Sequence, residues 1–296
     1  MARYESIFRE DLLRDRVILV TGGGTGLGRC TAHELAALGA TVVIGARRQD
    51  VLEKTAAEIA ESGGRCETAE INIRDEASVD SAVAGIVERH GKIDGLFNNA
   101  GGQFVAPVDK MSPNAWRTVI DLNLNGTFLV STAVHRHSMA AHGGAIVNML
   151  ADIWSGYPGM AHMSAARAGI ENLTRSLCME WGQQRVRVNC VAPGTILSSG
   201  LLTYPEEVQN RTVKDASTAP LGRLGTESEV SAAVVFLLSP AAAYITGETL
   251  RIDGGSCYQK GRLIEVGGTP NRAWNGFHLR PDVTGTPFAK LEDESS

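Results

Sequence analysis

The stretch Val17-Ile18-Leu19-Val20-Thr21-Gly22-Gly23-Gly24-Thr25-Gly26-Leu27-Gly28, with the segment Cys30 to Ala40 that follows it, decides the fold. A short apolar run enters a glycine turn. The turn opens into a segment in which Ala32, Leu35 and Leu38 share one helical face. Strand, turn and helix in that order aim backbone N–H groups of a helix N-terminus at whatever lies on the turn, which is how a pyrophosphate is held. The alternation then repeats: Val42 to Ile44 before a helix over Leu52 to Ile59, Glu70 to Ile73 before Val79 to Val87, then Ile93 to Phe97. Further along come a long helix from about Pro113 to Met139, a strand Ala145 to Met149, a helix Met163 to Trp181, and a strand Val186 to Val191. The series closes with a helix Glu227 to Leu238 and a strand Thr249 to Ile252. Continuously apolar strands separated by amphipathic helices need a parallel sheet covered on both faces. The expected architecture is therefore α/β, a single doubly wound, Rossmann-type domain over residues 1–256 with about seven strands. Residues 197–221 read as an insertion on the substrate side. Residues 257–296 read as a C-terminal extension beyond the sheet.

Composition narrows the function classes. The chain has 296 residues, 43% hydrophobic and 21% charged, enough apolar content for a large core. Its 28 Lys and Arg against 33 Asp and Glu give a net charge of −5, which argues against a nucleic-acid partner. Five scattered cysteines show neither a CxxC pair nor a histidine cluster at ligand spacing, so no metal is expected and the thiols read as reduced and mostly buried. Charge interrupts the first fifteen residues, no run reaches membrane-spanning length, and the last three residues are Glu-Ser-Ser. These features set the expectation of a cytoplasmic protein with no membrane partner.

The spacing Thr21-Gly22-x3-Gly26-x-Gly28 resembles the short-chain dehydrogenase/reductase family. So do Asn98-Asn99-Ala100-Gly101, Asn123, Pro193-Gly194 and Asp253-Gly254-Gly255, which occur in the family's order over about residues 14–256. The resemblance implies a nicotinamide dinucleotide held by Thr21, Gly22, Gly24, Thr25, Gly26 and Leu27 at the diphosphate. It implies Asn72 and Ile73 near the adenine, and Asn99, Ala100 and Gly101 beside the ribose. Arg167, Pro193, Gly194, Ile196 and Ser198 are placed toward the nicotinamide. Where the second strand ends, an acid would select the ribose 2′-OH; this sequence instead has Arg47 and Arg48, which favours the 2′-phosphate of NADP(H). Family membership further implies a homodimer or homotetramer.

The family's acid–base centre does not carry over. Its Ser, Tyr and Lys positions are Leu150, Met163 and Arg167 here. Leucine donates no hydrogen bond, methionine has no proton to give, and an arginine stays charged. Arg167, with Asn123, can position the ribose and supply positive potential but cannot relay a proton. A narrower resemblance, carried by Asn98 to Phe104, Ile71 to Arg74, His135 to Val147 and Ala165 to Gly169, is to the peroxisomal trans-2-enoyl-CoA reductases and the neighbouring dienoyl-CoA reductases. It implies hydride delivery to a carbon conjugated with a thioester, so that charge develops as an enolate. His162, Tyr157 and Asp152 are the side chains near the missing Tyr that can exchange a proton. A packed histidine, a wall residue and a loop cap are the respective structural alternatives. Gln103 stands where it would orient substrate, and Trp154, Met160, Met163 and Leu201 suggest a lipophilic lining.

The sequence leaves three functions open. One is an NADP(H)-dependent reductase of an enoyl-CoA-type double bond. A second is a dehydrogenase of a lipophilic alcohol, such as the terpenoid citronellol. The third is an NADP-binding protein with little turnover.

Overall fold

A computed structural model describes residues 3–258 and 269–289. Its centre is strand β1, Val17–Thr21, buried at every position because it lies in the middle of a sheet with both faces covered. Around it stand β2 (Thr41–Ala46), β3 (Arg65–Glu70), β4 (Gly95–Asn98), β5 (Gly144–Met149), β6 (Val186–Pro193) and β7 (Thr249–Ile252). The seven form one parallel sheet in the order β3-β2-β1-β4-β5-β6-β7. The winding reverses between β1 and β4, and ligands bind in the crevice such a reversal opens at the strands' C-terminal ends.

Helices α1 (Gly26–Ala37) and α2 (Gln49–Glu61), with α7 (Glu227–Leu238), cover one face. Leu35, Leu52, Ile59, Val230 and Val234 pack there on Val20, Val42 and Ile44. The opposite face carries α3 (Glu76–His90), the long helix α4 (residues 113–142) and α5 (Ala161–Trp181). Their Val79, Val83, Val130, Val134, Leu177 and Trp181 pack on Leu19, Val43, Leu96 and Ile146. Two segments of α4, Asp121–Asn125 and His135–Met139, widen into π turns that periodicity did not disclose.

The third strand lies earlier than the sequence suggested. It runs over Arg65–Glu70, and Ile71 and Ile73 lie beyond its end, buried to 1% and 7% exposure. An edge strand pairs on one side only and tolerates a half-polar composition such as RCETAE, whereas the apolar pair marks the chain crossing the end of the sheet. The cysteines also differ from expectation: all five are free, but only Cys30 and Cys190 are buried.

The insertion holds a short 3₁₀ turn, Leu201–Thr203, and α6, Glu206–Thr218. Residues 259–268 and 290–296 of the expected extension lie outside the described residues. The described part folds back on its own chain. The Ser228 hydroxyl accepts from Gly276 N and Phe277 N at 3.1 Å each, and Phe277 packs with Tyr4 and Cys30. Val283 and Phe288 join Ala216, Leu224 and Leu201 in a small core beneath the insertion. Leu201, expected as a substrate wall, is partly buried and packs against this small core. Among the described residues no helix is long and apolar enough to cross a membrane.

Candidate active site

The glycine turn is shaped by close contacts on three sides. Gly22 (φ +66°) and Gly26 (φ +55°) occupy left-handed conformations. A Cβ on Gly28 would lie 2.3 Å from the Gly22 carbonyl oxygen and 2.5 Å from Asn99 Nδ2. Asn99 and Thr21 act as staples: Asn99 Nδ2 donates to the carbonyls of Thr21 and Gly22 at 3.0 and 3.2 Å, and Thr21 Oγ1 accepts from Asn99 N and Ala100 N at 3.1 Å. Thr21 is thus buried behind the site and ties the ends of β1 and β4 together.

Above this turn lies a cleft of about 630 Å³. It brings together Gly22, Gly24, Thr25, Gly26 and Leu27 with Arg47 and Arg48 beyond β2, Asn72 and Ile73 beyond β3, and Asn99, Ala100 and Gly101 beyond β4. Ser198, Ser199, Gly200 and Thr203 close it from the insertion, and of these the sequence reading found only Ser198. Helix α1 starts here without a side-chain cap from Thr25 and with no acid in its first turn, so its first N–H groups are left for a ligand. Among the described residues Arg47 and Arg48 are the only charged side chains lining the cleft, both are exposed, and neither is in an ion pair. Volume, uncapped helix and paired arginines fit an anionic dinucleotide. Pro193, Gly194 and Ile196 stand behind the lining: Gly194 N donates to Ile252 O at 2.9 Å, and Ile196 is packed in the core.

At the inner end of the cleft, beneath Gly101, sits Arg167. A Cβ on Gly101 would come within 2.5 Å of Asn123 Oδ1 and 2.6 Å of Arg167 Nη2, so only glycine fits between the two. Arg167 is 6% exposed, donates through Nη1 to Met149 O, and has a buried Nε without a partner. Burial pulls its guanidinium down to about 10, still well above neutral pH. Asn123, carried on the first π turn, spends its amide on backbone. Nδ2 donates to Gly102 O and Val119 O at 2.8 Å, and Oδ1 accepts from Gly102 N at 3.3 Å. It clamps the loop after β4 beside Gly101. Leu150 packs with Ile170, Cys190 and Ala192, and Met163 is buried to 3% exposure, so no hydroxyl occupies the family's acid–base positions.

The three proton-exchanging candidates differ in environment. His162 is fully buried; Nδ1 accepts from Met163 N at 2.8 Å, and Nε2 has no partner. Burial lowers its pKa, leaving a neutral ring, and Phe104 meets it edge-on with centroids 4.5 Å apart. Asp152 has a buried, unpaired Oδ1, and burial together with the facing Asp253 raises its carboxyl. Tyr157 is 41% exposed on the same loop; partial burial and then Tyr204, Asp152 and Asp215 hold its phenol above the ordinary value. Tyr204, at the end of the 3₁₀ turn, was not singled out from sequence; its hydroxyl accepts from Gln103 Nε2 at 3.4 Å. No spacing signal marks it, because the contact spans about a hundred residues of chain. Trp154, expected on an apolar wall, carries Arg251 over its ring at 3.9 Å.

Comparison with known proteins agrees with this geometry. Residues 22–257 match the family model described as enoyl-(acyl carrier protein) reductase. A probable 2,4-dienoyl-CoA reductase of Bacillus subtilis is 37% identical over 246 residues, 82% of this chain and 97% of that protein. Among solved structures, a citronellol catabolism dehydrogenase of Pseudomonas aeruginosa is 50% identical, covers 86% of this chain and 100% of its own, and superposes with a TM-score of 0.78. A gluconate 5-dehydrogenase of Burkholderia cenocepacia, solved with NADP and tartrate, is 32% identical over 84% of this chain and 98% of its own, with a TM-score of 0.77. With the doubly wound sheet, the stapled glycine turn and these matches in agreement, the chain belongs to the short-chain dehydrogenase/reductase family of oxidoreductases.

Proposed function

We propose that the protein is an NADP(H)-dependent reductase of a carbon–carbon double bond conjugated to a thioester, of the enoyl-CoA type. The observation that carries this reading is the replacement of the usual acid–base centre by buried Leu150 and Met163 around a buried, permanently charged Arg167. Such a site cannot pass a proton to a carbonyl oxygen by the family's route, whereas hydride addition to a conjugated carbon requires none at that oxygen. The dinucleotide would rest its diphosphate on the uncapped start of α1 and its 2′-phosphate against Arg47 and Arg48. When bound, it supplies the hydride. Arg167, pinned by Met149 O and Gly101, holds positive potential where the thioester oxygen gains charge. Asn123 keeps the Gly101–Gly102 backbone in place beside it. Tyr157, the most exposed of the three proton-exchanging side chains, retains its proton at neutral pH and gives it to the α-carbon of the enolate.

A second reading, oxidation of a lipophilic alcohol, draws support from the 50%-identical citronellol catabolism dehydrogenase and from Asp152. The unpaired Oδ1 and raised pKa of that carboxyl suit a general base. The two readings need different residues. Steady-state rates with NADPH and a medium-chain trans-2-enoyl-CoA, and with NADP and citronellol, measured for the native chain, Tyr157→Phe and Asp152→Asn, separate them. Thioester reduction that falls in Tyr157→Phe supports the first reading. Alcohol oxidation that falls in Asp152→Asn supports the second. Tight NADPH binding with neither turnover would leave a cofactor-binding protein.

A further inference from the structure

The first turn of α7 brings a carboxyl group against the glycine turn. Glu227 follows the N-cap residue Thr226, is 5% exposed, and has a buried Oε1 with no hydrogen-bond partner. A Cβ built on Gly26 would meet Ser199 Oγ at 3.8 Å and Glu227 Oε1 at 3.9 Å. An orphaned carboxyl oxygen therefore borders the residue whose backbone opens toward a diphosphate, and it comes from the element that packs on α1 from the far side. The charged and titratable groups around it are few. From α1 these are Arg29, whose Nε is engaged by Glu58 at 2.8 Å, and the buried thiol of Cys30, with Glu34 beyond it. From the insertion, the Ser199 backbone N–H faces it.

We propose that Glu227 belongs to the nucleotide-binding turn and carries a proton when a diphosphate occupies that turn, so that cofactor uptake and protonation of Glu227 are linked. The inference rests on the dinucleotide reading given above. Two forces act on the carboxyl in the free protein. The helix N-terminus and Arg29 favour the anion, but burial outweighs them and raises the carboxyl to about 7. A diphosphate beside it adds negative charge and moves the balance further toward the neutral acid. The consequence is a cofactor affinity that weakens as pH rises above 7, because the carboxylate formed there repels the ligand across a poorly screened, buried gap.

The test compares NADPH dissociation constants of the native protein and Glu227→Gln from pH 6 to pH 9. Taking the ratio of the two removes the titration of the ligand itself. The ratio of native to variant is expected near one at pH 6 and to rise about tenfold by pH 9, a coupling of ordinary size for linked sites. A ratio that stays flat while both proteins bind NADPH overturns the linkage and leaves the cofactor reading standing. Failure of the native protein to bind NADPH or NADH at any pH overturns both. Should Glu227→Gln not fold, calorimetry of NADPH binding to the native protein at pH 8, in buffers of different ionisation enthalpy, gives the same answer. The 2′-phosphate is fully ionised there, so the proton taken up on binding is the protein's, and its absence contradicts the proposal.

Discussion

Replacement of Arg167 by methionine should separate stability from activity. The guanidinium is 6% exposed, and burial lowers its pKa from 12.5 to about 10. At about 1.4 kcal/mol per unit, keeping that charge in place costs the folded state about 3 kcal/mol. Methionine removes the cost and fills similar volume. It also removes the donor to Met149 O, and an acceptor left unpaired costs about 1–3 kcal/mol. The difference lies between zero and about 2 kcal/mol in favour of the variant. Arg167→Met should therefore unfold in urea, in the absence of cofactor, at the native midpoint or slightly above it. Turnover of NADPH should fall about 100-fold or more, the usual penalty for deleting a charge-stabilising donor. A variant destabilised by more than about 2 kcal/mol that still turns over at a native rate would refute the reasoning, because Arg167 would then be a structural pillar with no part in the chemistry.

Other substitutions probe the same account. Gly101→Ala places a methyl group within 2.6 Å of both Asn123 Oδ1 and Arg167 Nη2, so it should cost about 1–3 kcal/mol by thermal unfolding and lower turnover more than cofactor affinity. Arg47→Asp should weaken NADPH binding by about 10–100-fold in fluorescence titration while changing NADH little, since only the 2′-phosphate loses its charged partner. Glu227 also makes a prediction about stability. Its carboxyl rises from 4.5 in the unfolded chain to about 7 in the fold, so its contribution is complete below pH 4.5 and lost as pH climbs through 7. Glu227→Gln should accordingly match the native melting temperature at pH 4.5 and exceed it at pH 8, by an amount equivalent to about 1–3 kcal/mol. Phe277→Ala, which empties the seat of the C-terminal segment against Tyr4 and His33, should cost about 3–5 kcal/mol in urea unfolding.

Much of the architecture is legible because the period of the apolar residues follows burial. Strands β1 and β2 are buried on both faces and read as apolar runs, while α7 and β7 fall where the pattern places them. The third strand was misplaced for the same reason: at the edge of the sheet the apolar pair Ile71 and Ile73 marks a crossing, not a ladder. The π turns of α4 are invisible because a one-residue change of pitch leaves the apolar stripe nearly intact.

At the site, the glycine turn and the loop after β4 form local motifs whose spacing survives in sequence. The insertion's Ser199 and Thr203 reach the cleft, the Tyr204 hydroxyl meets Gln103 and the Glu227 carboxyl borders Gly26, all through contacts distant along the chain that no local pattern records. Asn123 stands against Gly101, next to Arg167. Its commitment to the backbone of Gly102 and Val119 could be learned only from the three-dimensional arrangement.

The central claim is that hydride goes to a carbon–carbon double bond rather than to a carbonyl carbon. The most direct test supplies NADPH deuterated at the transferring position with a medium-chain trans-2-enoyl-CoA in ordinary water, and locates the label by mass spectrometry and NMR. The account predicts a saturated thioester with one deuterium on the β-carbon and a solvent proton on the α-carbon. Unchanged thioester alongside a citronellol oxidation that passes label from the carbinol carbon to NADP would contradict it.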